Sequence, residues 1–279
     1  MNVLLVGVGL INGSFSLALR NRKDITFGGC DLSKEHLDKA KKLAIIDQVF
    51  ELEEGVGWAD FVLLGTPVDV IKQMLPEILD TISSDQLVVD FGSTKGTICK
   101  MVQSHQNRRS FLAAHPIAGT EHSGPEAAFE ELFIGQNLII CERDRTNKSL
   151  TEDFLSLAKA AGFYFTFMSA EEHDRHLAYI SHLSHISSYV LSNTVLQKEK
   201  DGEVILDLAG SGFESTVRLA KSSPAMWSSI FKENKYMVLD SITAYQAELE
   251  ELKKLIETGD NDKLGTYLEE GRKIRKILK

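Results

Sequence analysis

The sequence contains few cysteines and prolines and has no long apolar run. Its 279 residues include 3 cysteines and 5 prolines. Cys30, Cys99 and Cys141 fit no metal or redox spacing, which indicates reduced thiols in a cytoplasmic protein. The apolar stretch over residues 1–7 is too short to cross a membrane, and no basic region precedes it. We therefore expect neither a membrane span nor a secretory signal.

Positive charge is also scarce, because 31 Lys and Arg face 40 Asp and Glu and give a formal net charge of -9. A nucleic-acid surface needs a basic stripe that neutralises phosphates, so this class of partner is excluded. An anionic small substrate remains possible, since one or two local cations suffice to bind it. The length allows two compact domains, and 43% hydrophobic residues is ordinary for a globular protein.

Up to residue 168 the chain alternates short apolar runs with amphipathic stretches. Strands are predicted over residues 3–6, 26–30, 61–64, 87–89, 111–113, 138–140 and 163–168, and helices over residues such as 33–44 and 68–79. Apolar runs without polar alternation are typical of strands buried on both faces of a parallel sheet. Residues 1–168 are therefore predicted to form a Rossmann-type, doubly wound parallel α/β domain.

The pattern changes at Ser169, which begins a capping box with Glu172. No convincing strand follows. Ser223 and Pro224 predict the start of an unusually long helix, in which apolar residues step by three and four from Val238 to Ile256. Such a seam favours packing against a second subunit, with packing inside one domain as the alternative. Residues 169–279 are predicted to form an all-α domain that makes a homodimer.

A glycine loop joins the first predicted strand to the first predicted helix. Gly7 allows a tight turn, and Gly9 lets a pyrophosphate approach the backbone at the helix N-terminus. The third position of this fingerprint is normally Gly or Ala but is here Asn12, followed by Gly13. Because the loop lies between a strand and a helix, we still expect a dinucleotide site. The candidate cofactor-binding residues are Gly7, Val8, Gly9, Leu10, Ile11, Asp31, Thr66 and Pro67.

Asp31 follows the second predicted strand and lies 22 residues after Gly9. A carboxylate at about this spacing binds the adenosine ribose hydroxyls and repels a 2′-phosphate. No arginine follows it closely, and Lys34 is the one nearby cation. The sequence therefore predicts NAD rather than NADP as the cofactor.

Polar residues follow three of the predicted strands, at residues 65–67, 90–95 and 115–121. The carboxyl ends of parallel strands meet at one edge, where open α/β folds bind ligands. His115 at this edge is a candidate for proton transfer, because the pKa of histidine lies close to neutral pH.

In the helical half, His182 and His185 share one helix stripe. No third ligand of matching context accompanies this pair, so we expect no metal site.

Five segments together resemble the prephenate and arogenate dehydrogenase family over nearly the whole chain. They are residues 7–14, 90–96, 115–124 (HPIAGTEHSG), 181–185 (SHLSH) and 212–227 (GFESTVRLAKSSPAMW). The run that begins at His115, with the later histidine pair and Arg218, is far more specific than the glycines. The resemblance implies an NAD-dependent enzyme of tyrosine biosynthesis. It would convert prephenate to 4-hydroxyphenylpyruvate and CO2, or, as the alternative, convert arogenate directly to tyrosine.

The resemblance also implies a role for each matching residue. His115 would take the proton of the substrate C4 hydroxyl, and Ser93 would hydrogen-bond this histidine and that hydroxyl. Arg218 would bind a substrate carboxylate, and Glu121 would pair with Arg218 when the site is gated. The remaining implied pocket residues are Thr120, Ser181, His182 and His185, with Trp227 near the substrate entrance.

Two other functions fit part of the pattern. A β-hydroxyacid dehydrogenase also follows a Rossmann half with a helical half, but it would rely on a lysine where this chain has His182 and His185. A non-catalytic NAD-sensing protein would keep the glycines and Asp31 but would not need His115, Ser93 and Arg218 together. Both are therefore less favoured than the dehydrogenase suggested by the resemblance.

Overall fold

The structure is a computed structural model that describes residues 1–120, 122–200 and 204–277. Contacts divide the chain into two compact units, Met1–Asn234 and Lys235–Lys279. The first unit contains one eight-stranded sheet in the order β3-β2-β1-β4-β5-β6-β7-β8. Its strands are β1 (Asn2–Val6), β2 (Thr26–Cys30), β3 (Gln48–Val49), β4 (Phe61–Leu64), β5 (Leu87–Asp90), β6 (Phe111–Ile117), β7 (Asn137–Cys141) and β8 (Tyr164–Met168).

Strands β1 to β6 run parallel in the order 3-2-1-4-5-6, which is the Rossmann order. The predicted fold class is therefore confirmed. The sheet is not parallel throughout, because β7 runs antiparallel to β6. The short edge strand β3 was not predicted, since two exposed residues carry no apolar pattern.

The antiparallel partner changes where His115 lies. β5 pairs with β6 only as far as Ala113, whereas β7 pairs with β6 from Ala113 to Ile117. The strand therefore continues past the predicted end, and His115 is a residue of β6 rather than of the loop after it. A strand position holds a side chain more rigidly than a loop, because the backbone is hydrogen-bonded on its β7 side.

Helices cover both faces of the sheet, and each face has its own apolar core. The helices of the first unit are α1 (Leu10–Ala18), α2 (Lys34–Lys42), α3 (Leu52–Trp58), α4 (Val68–Thr81), α5 (Gly96–Met101), α6 (Lys148–Ala160), α7 (Ala170–Leu177), α8 (Leu183–Lys200), α9 (Ser211–Val217) and α10 (Pro224–Glu233). The second unit contains α11 (Lys235–Thr258) and α12 (Asn261–Arg272). Within the described residues, no strand follows β8, and no helix is long and apolar enough to cross a membrane.

A buried ion pair ties β5 to β6 beneath the carboxyl edge. The Lys95 ammonium donates to the Asp90 carboxylate and, over 2.8 Å, to the carbonyl oxygen of Ala114. Both side chains are fully buried. A buried charge is tolerated only when it is paired and hydrogen-bonded, so this pair fixes the loop after β5 against the strand that carries His115.

The helix starts predicted from capping residues are confirmed, but the long helix is interrupted. Ser169 and Glu172 form the capping box of α7, and the Ser223 side chain caps α10. The helix opened by Ser223 was predicted to run on through the apolar seam, and this was wrong. It ends at Glu233, because Asn234 adopts φ −105° and ψ 31° and its buried amide donates to the carbonyl oxygen of Asp174. The seam belongs to α11. The domain boundary at residue 168 stays a prediction.

Candidate active site

The glycine loop between β1 and α1 has the form of a phosphate cradle. Gly7 has φ +82°, and a Cβ there would lie 2.9 Å from Cγ2 of Thr66. Gly9 caps α1, and a Cβ there would meet no atom of the described residues within 4 Å. The loop therefore leaves open space at the N-terminus of a helix, where backbone N–H groups and the helix dipole attract a pyrophosphate. Val8 is buried, and Leu10 and Ile11 form the first turn of α1.

Asn12 and Gly13 explain the departure from the usual fingerprint. The Asn12 amide nitrogen lies 3.1, 2.9 and 3.0 Å from the carbonyl oxygens of Val6, Gly7 and Leu63. It thus ties the loop to the ends of β1 and β4. A Cβ on Gly13 would lie 2.8 Å from the Cβ of Ala128, so this glycine lets α1 pack closely against the segment that follows β6.

Asp31 lies at the end of β2 and supports the loop. Its Oδ2 accepts from the backbone N–H of Val8 at 3.1 Å, and its Oδ1 accepts from that of Ser33 at 2.9 Å. The Thr66 hydroxyl is buried and has no hydrogen-bond partner among the residues that the structure describes, and Pro67 caps α4. An open cradle, a carboxylate at the end of β2 and an unpartnered hydroxyl beside Gly7 together fit a dinucleotide with free ribose hydroxyls.

His115 is joined to a second histidine and a carboxylate. Its Nδ1 lies 2.8 Å from Nε2 of His173, and Nδ1 of His173 lies 2.8 Å from Oδ1 of Asp174. The Asp174 carboxylate also accepts from the backbone N–H groups of Lys95 and Gly96, at 2.8 and 2.7 Å. The carboxylate therefore connects α7 to the loop after β5.

Burial keeps His115 neutral. The pKa of His115 lies well below its ordinary value, chiefly through desolvation and then through the electrostatic influence of His173, Lys95 and His182. A histidine with a lowered pKa is unprotonated at neutral pH and has a lone pair that can accept a proton. Because Nδ1 is engaged with His173, Nε2 is the nitrogen left for a ligand.

Asn234 holds a third histidine in place. Its amide nitrogen lies 3.3 Å from Nδ1 of His182 and donates to the Asp174 carbonyl oxygen at 2.7 Å. Burial lowers the pKa of His182 to about 4, so this ring is neutral. If the Asn234 amide donates to Nδ1, the proton of His182 is on Nε2, which makes this nitrogen a hydrogen-bond donor.

Trp227 links the two predicted pocket histidines. The ring of His185 stacks on Trp227 with centroids 3.5 Å apart, and His182 meets the same ring edge-on at 5.9 Å. His185 Nδ1 donates a hydrogen bond to the carbonyl oxygen of Ser181 at 3.1 Å. Ser181 belongs to a π-helical turn (Ala178–His182) that precedes α8. Desolvation lowers the pKa of His185, and the charge of Arg218 lowers it further. Arg218 itself is exposed.

The other predicted residues are less closely joined to His115. Ser93 lies half-buried in the loop after β5, and among the described residues the hydrogen-bond partner of His115 is His173 rather than Ser93. Thr120 is exposed, and its hydroxyl accepts from the backbone N–H of His122. Glu121 lies outside the described residues. The roles proposed for these residues stay predictions.

Sequence reasoning missed His173, Asp174 and Asn234. The first two follow directly on the capping box at Ser169, and an adjacent histidine and aspartate early in a helix is the signal that was available. Asn234 gave no such signal, because its contacts are with residues 52 and 60 positions earlier in the chain. In the described part of the chain, no group of three or more His, Cys, Asp or Glu is arranged to hold a metal ion.

A Rossmann sheet with a phosphate cradle, and a neutral histidine near the carboxyl end of a strand, define the class of a dinucleotide-dependent dehydrogenase. Two family models match the chain. The nucleotide-binding domain of prephenate dehydrogenase matches residues 15–165, and its dimerization domain matches residues 169–270. The chain therefore belongs to the prephenate dehydrogenase family.

Relatives and solved structures agree with this family. Prephenate dehydrogenase of Bacillus subtilis (strain 168) is 34% identical over 98% of this chain and 75% of its own length. The crystal structure of prephenate dehydrogenase from A. aeolicus, in complex with hydroxyphenyl propionate and NAD+, superposes with a TM-score of 0.93 at 32% identity, over 100% of this chain and 98% of that one. Synechocystis arogenate dehydrogenase superposes with a TM-score of 0.83 at 26% identity, over 99% of each chain.

Proposed function

We propose that the protein oxidises and decarboxylates prephenate to 4-hydroxyphenylpyruvate and CO2 with NAD, in the biosynthesis of tyrosine. The observation that carries the proposal is His115 itself. It is a neutral histidine fixed in β6, with Nδ1 engaged and Nε2 left for a ligand. Membership of the prephenate dehydrogenase family supports the same reaction.

NAD as the cofactor is confirmed by the nucleotide-binding family model and by the NAD+ in the A. aeolicus structure. In this chain the N-terminus of α1 and the open space at Gly9 would hold the pyrophosphate, and Asp31 would bind the adenosine ribose hydroxyls. When bound, the nicotinamide supplies the acceptor for the hydride that leaves C4 of the substrate ring.

The protein side of the reaction is proton removal and charge placement. His115 Nε2 takes the proton of the C4 hydroxyl, and Ser93 assists in orienting that hydroxyl. Arg218 binds a substrate carboxylate, since a guanidinium makes two parallel hydrogen bonds to it. As the ring carboxylate leaves as CO2, the electrons of its bond enter the ring, which becomes aromatic. Neutral His182, His185 and Ser181 line the pocket without adding charge.

Thr120 and Glu121 complete the proposed set of substrate residues, with Glu121 pairing with Arg218 when the site is gated.

We further propose that the protein is a homodimer through its helical part, because the matched domain of residues 169–270 is a dimerization domain. A cytoplasmic location remains part of the proposal, because all three cysteines are free thiols.

Initial rates of NADH formation with prephenate and with arogenate test this proposal. We expect kcat/KM to be larger for prephenate, and larger with NAD than with NADP, because Asp31 repels a 2′-phosphate. The similarity to Synechocystis arogenate dehydrogenase makes arogenate the second candidate. A larger kcat/KM for arogenate would replace the proposed substrate, and no turnover of either compound would overturn the proposed reaction.

A further inference from the structure

His115 lies at one end of a buried chain of hydrogen bonds. His115 Nδ1 lies 2.8 Å from His173 Nε2, and His173 Nδ1 lies 2.8 Å from Asp174 Oδ1. His173 is fully buried and Asp174 is 5% exposed. Water therefore has little access to the middle of the chain, and each polar atom depends on its protein partners.

The direction of this chain follows from its carboxylate end. Asp174 Oδ1 already accepts from the backbone N–H of Lys95, and Oδ2 accepts from that of Gly96. A carboxylate oxygen held by backbone N–H groups acts as an acceptor, so Nδ1 of His173 donates to it. Burial lowers the pKa of His173, which keeps its ring neutral. A neutral ring that donates from Nδ1 accepts at Nε2, and the donor to that nitrogen is Nδ1 of His115.

We propose that His173 and Asp174 are positioning residues that fix the proton of His115 on Nδ1 and so present Nε2 as a bare acceptor. This inference rests on the proposed function of His115 as the base. It adds a reason why the ring is ready before the substrate arrives. An imidazole that can rotate or exchange tautomers would spend part of its time with a proton on Nε2, and in that form it cannot accept another.

The chain also stabilises the cation that forms during turnover. The hydroxyl proton of the substrate moves to His115 Nε2, which gives an imidazolium with both nitrogens protonated. Its Nδ1–H stays hydrogen-bonded to His173 Nε2, while the Asp174 carboxylate at the far end of the chain offsets the new charge. When the electrons of the bond to the leaving CO2 enter the ring, the C4 oxygen becomes a phenolate and takes the proton back from Nε2, which gives the product hydroxyl and returns the chain to its starting state.

The groups that face the chain belong to several elements. The pKa of His115 is lowered by His173 on α7, Lys95 in the loop after β5, and His182 before α8. His173 contacts Asp174, and the charges of Asp174, Lys95 and Asp90 act on its pKa. Lys95 is paired with Asp90, so their charges largely cancel. The Asp174 carboxylate is the negative group that directly contacts His173.

The tautomer can be measured on the full-length protein without substrate. Imidazole nitrogen chemical shifts of protein labelled with 15N-histidine report which nitrogen bears the proton, and His115→Asn identifies the His115 signals among the eight histidines. We expect a protonated Nδ1 and a bare Nε2 on His115 at neutral pH. A protonated Nε2, or exchange between the two forms, would overturn the inference.

Two substitutions of His173 separate positioning from packing. His173→Leu removes the acceptor, whereas His173→Gln keeps a side-chain oxygen that can accept from His115 Nδ1. We expect His173→Leu to lower kcat by at least about tenfold, and by less than the 10²–10⁴-fold loss of a general base, with little change in KM or NAD affinity. His173→Gln should recover part of this loss and keep the proton on Nδ1.

The matched control is His176→Leu, which makes the same change at an exposed position of α7. It should leave kcat unchanged. Equal losses in His173→Leu and His173→Gln, or a loss confined to KM or NAD affinity, would assign His173 a packing role and contradict the inference. Failure of the proposed function looks different, because the tautomer would be as expected while neither prephenate nor arogenate is oxidised.

Discussion

At the scale of single residues, burial decides which groups near the proposed pocket carry charge. Desolvation is the main cause of the lowered pKa of His115, His173, His182 and His185. These four rings are therefore neutral at neutral pH and contribute hydrogen-bonding atoms rather than positive charge. Exposed Arg218, whose charge contributes to the lowered pKa of His185, is a cation available to an anionic substrate.

We therefore expect Arg218→Ala to raise KM for prephenate more than it lowers kcat. A guanidinium that binds the substrate carboxylate equally in the ground state and the transition state provides uniform binding, and its loss appears in KM. Steady-state kinetics at saturating NAD measure both constants. Arg218→Lys should lie between the wild type and Arg218→Ala, because lysine keeps the charge but not the planar pair of donors.

The opposite result would change the role of this residue. If Arg218→Ala lowered kcat and left KM unchanged, the arginine would act mainly on the transition state. If Arg218→Lys matched the wild type, charge alone would explain the binding, and a bidentate contact would be unnecessary.

The sequence identified His115 and Asp31 as candidate site residues but did not identify His173 and Asp174. His115 and Asp31 were found because each stands at the carboxyl end of a predicted strand, a position that periodicity reveals. His173 and Asp174 lie 58 and 59 residues after His115, and only the packing of α7 on the loop after β5 brings them to it. A local pattern cannot report such a contact.

At the scale of secondary structure, α7 places His173 and Asp174, and a capping box fixes where this helix begins. The Ser169 side chain accepts from the backbone N–H of Glu172 at 3.1 Å, and the Glu172 carboxylate accepts from that of Ser169 at 2.9 Å. The pKa of Glu172 is lowered, chiefly because the backbone N–H of Ser169 stabilises its charged form. Each bond satisfies an N–H that the helix leaves free.

Ser169→Ala should therefore lower the free energy of unfolding by about 0.5–2 kcal/mol, which is the usual effect of removing an N-cap. Urea denaturation followed by circular dichroism measures the change. The control is Ser149→Ala, at an exposed position of the first turn of α6, which should have little effect because alanine favours a helix. A destabilisation as large in the control would show that the loss at Ser169 does not come from the cap.

Elements with strong local signals were predicted well, and those set by tertiary pairing were not. β2 was predicted with the bounds that it has, because a short buried run is a local feature of the sequence. The end of β6 was misplaced because it depends on β7, which pairs antiparallel with it. The long helix was not divided at Asn234, because the contact with Asp174 that holds this residue is invisible to periodicity.

At the scale of the whole molecule, apolar side chains remain exposed on the helices of the matched dimerization domain. Val190 on α8 is 58% exposed, and on α11 Leu249 is 49% and Ile256 is 61% exposed. Large apolar residues exposed in series on a helix are typical of a surface that another chain covers. They favour the proposed homodimer.

We expect sedimentation equilibrium to give a mass of about twice 31.0 kDa. Ile256→Glu should shift the equilibrium towards monomer, because a carboxylate buried in an apolar interface has no partner. Gln246→Glu adds the same charge at an exposed polar position of α11 and should leave the dimer intact. A monomeric wild type would contradict the proposed homodimer, and an unchanged dimer in Ile256→Glu would place the interface elsewhere.

The role of His115 as the general base is tested most directly by the rate of NADH formation from prephenate, compared between the wild type and His115→Asn at saturating NAD. We expect the variant to bind NAD with nearly unchanged affinity and to turn over about 10²–10⁴-fold more slowly, which is the usual contribution of a general base. An unchanged kcat in His115→Asn would contradict this role.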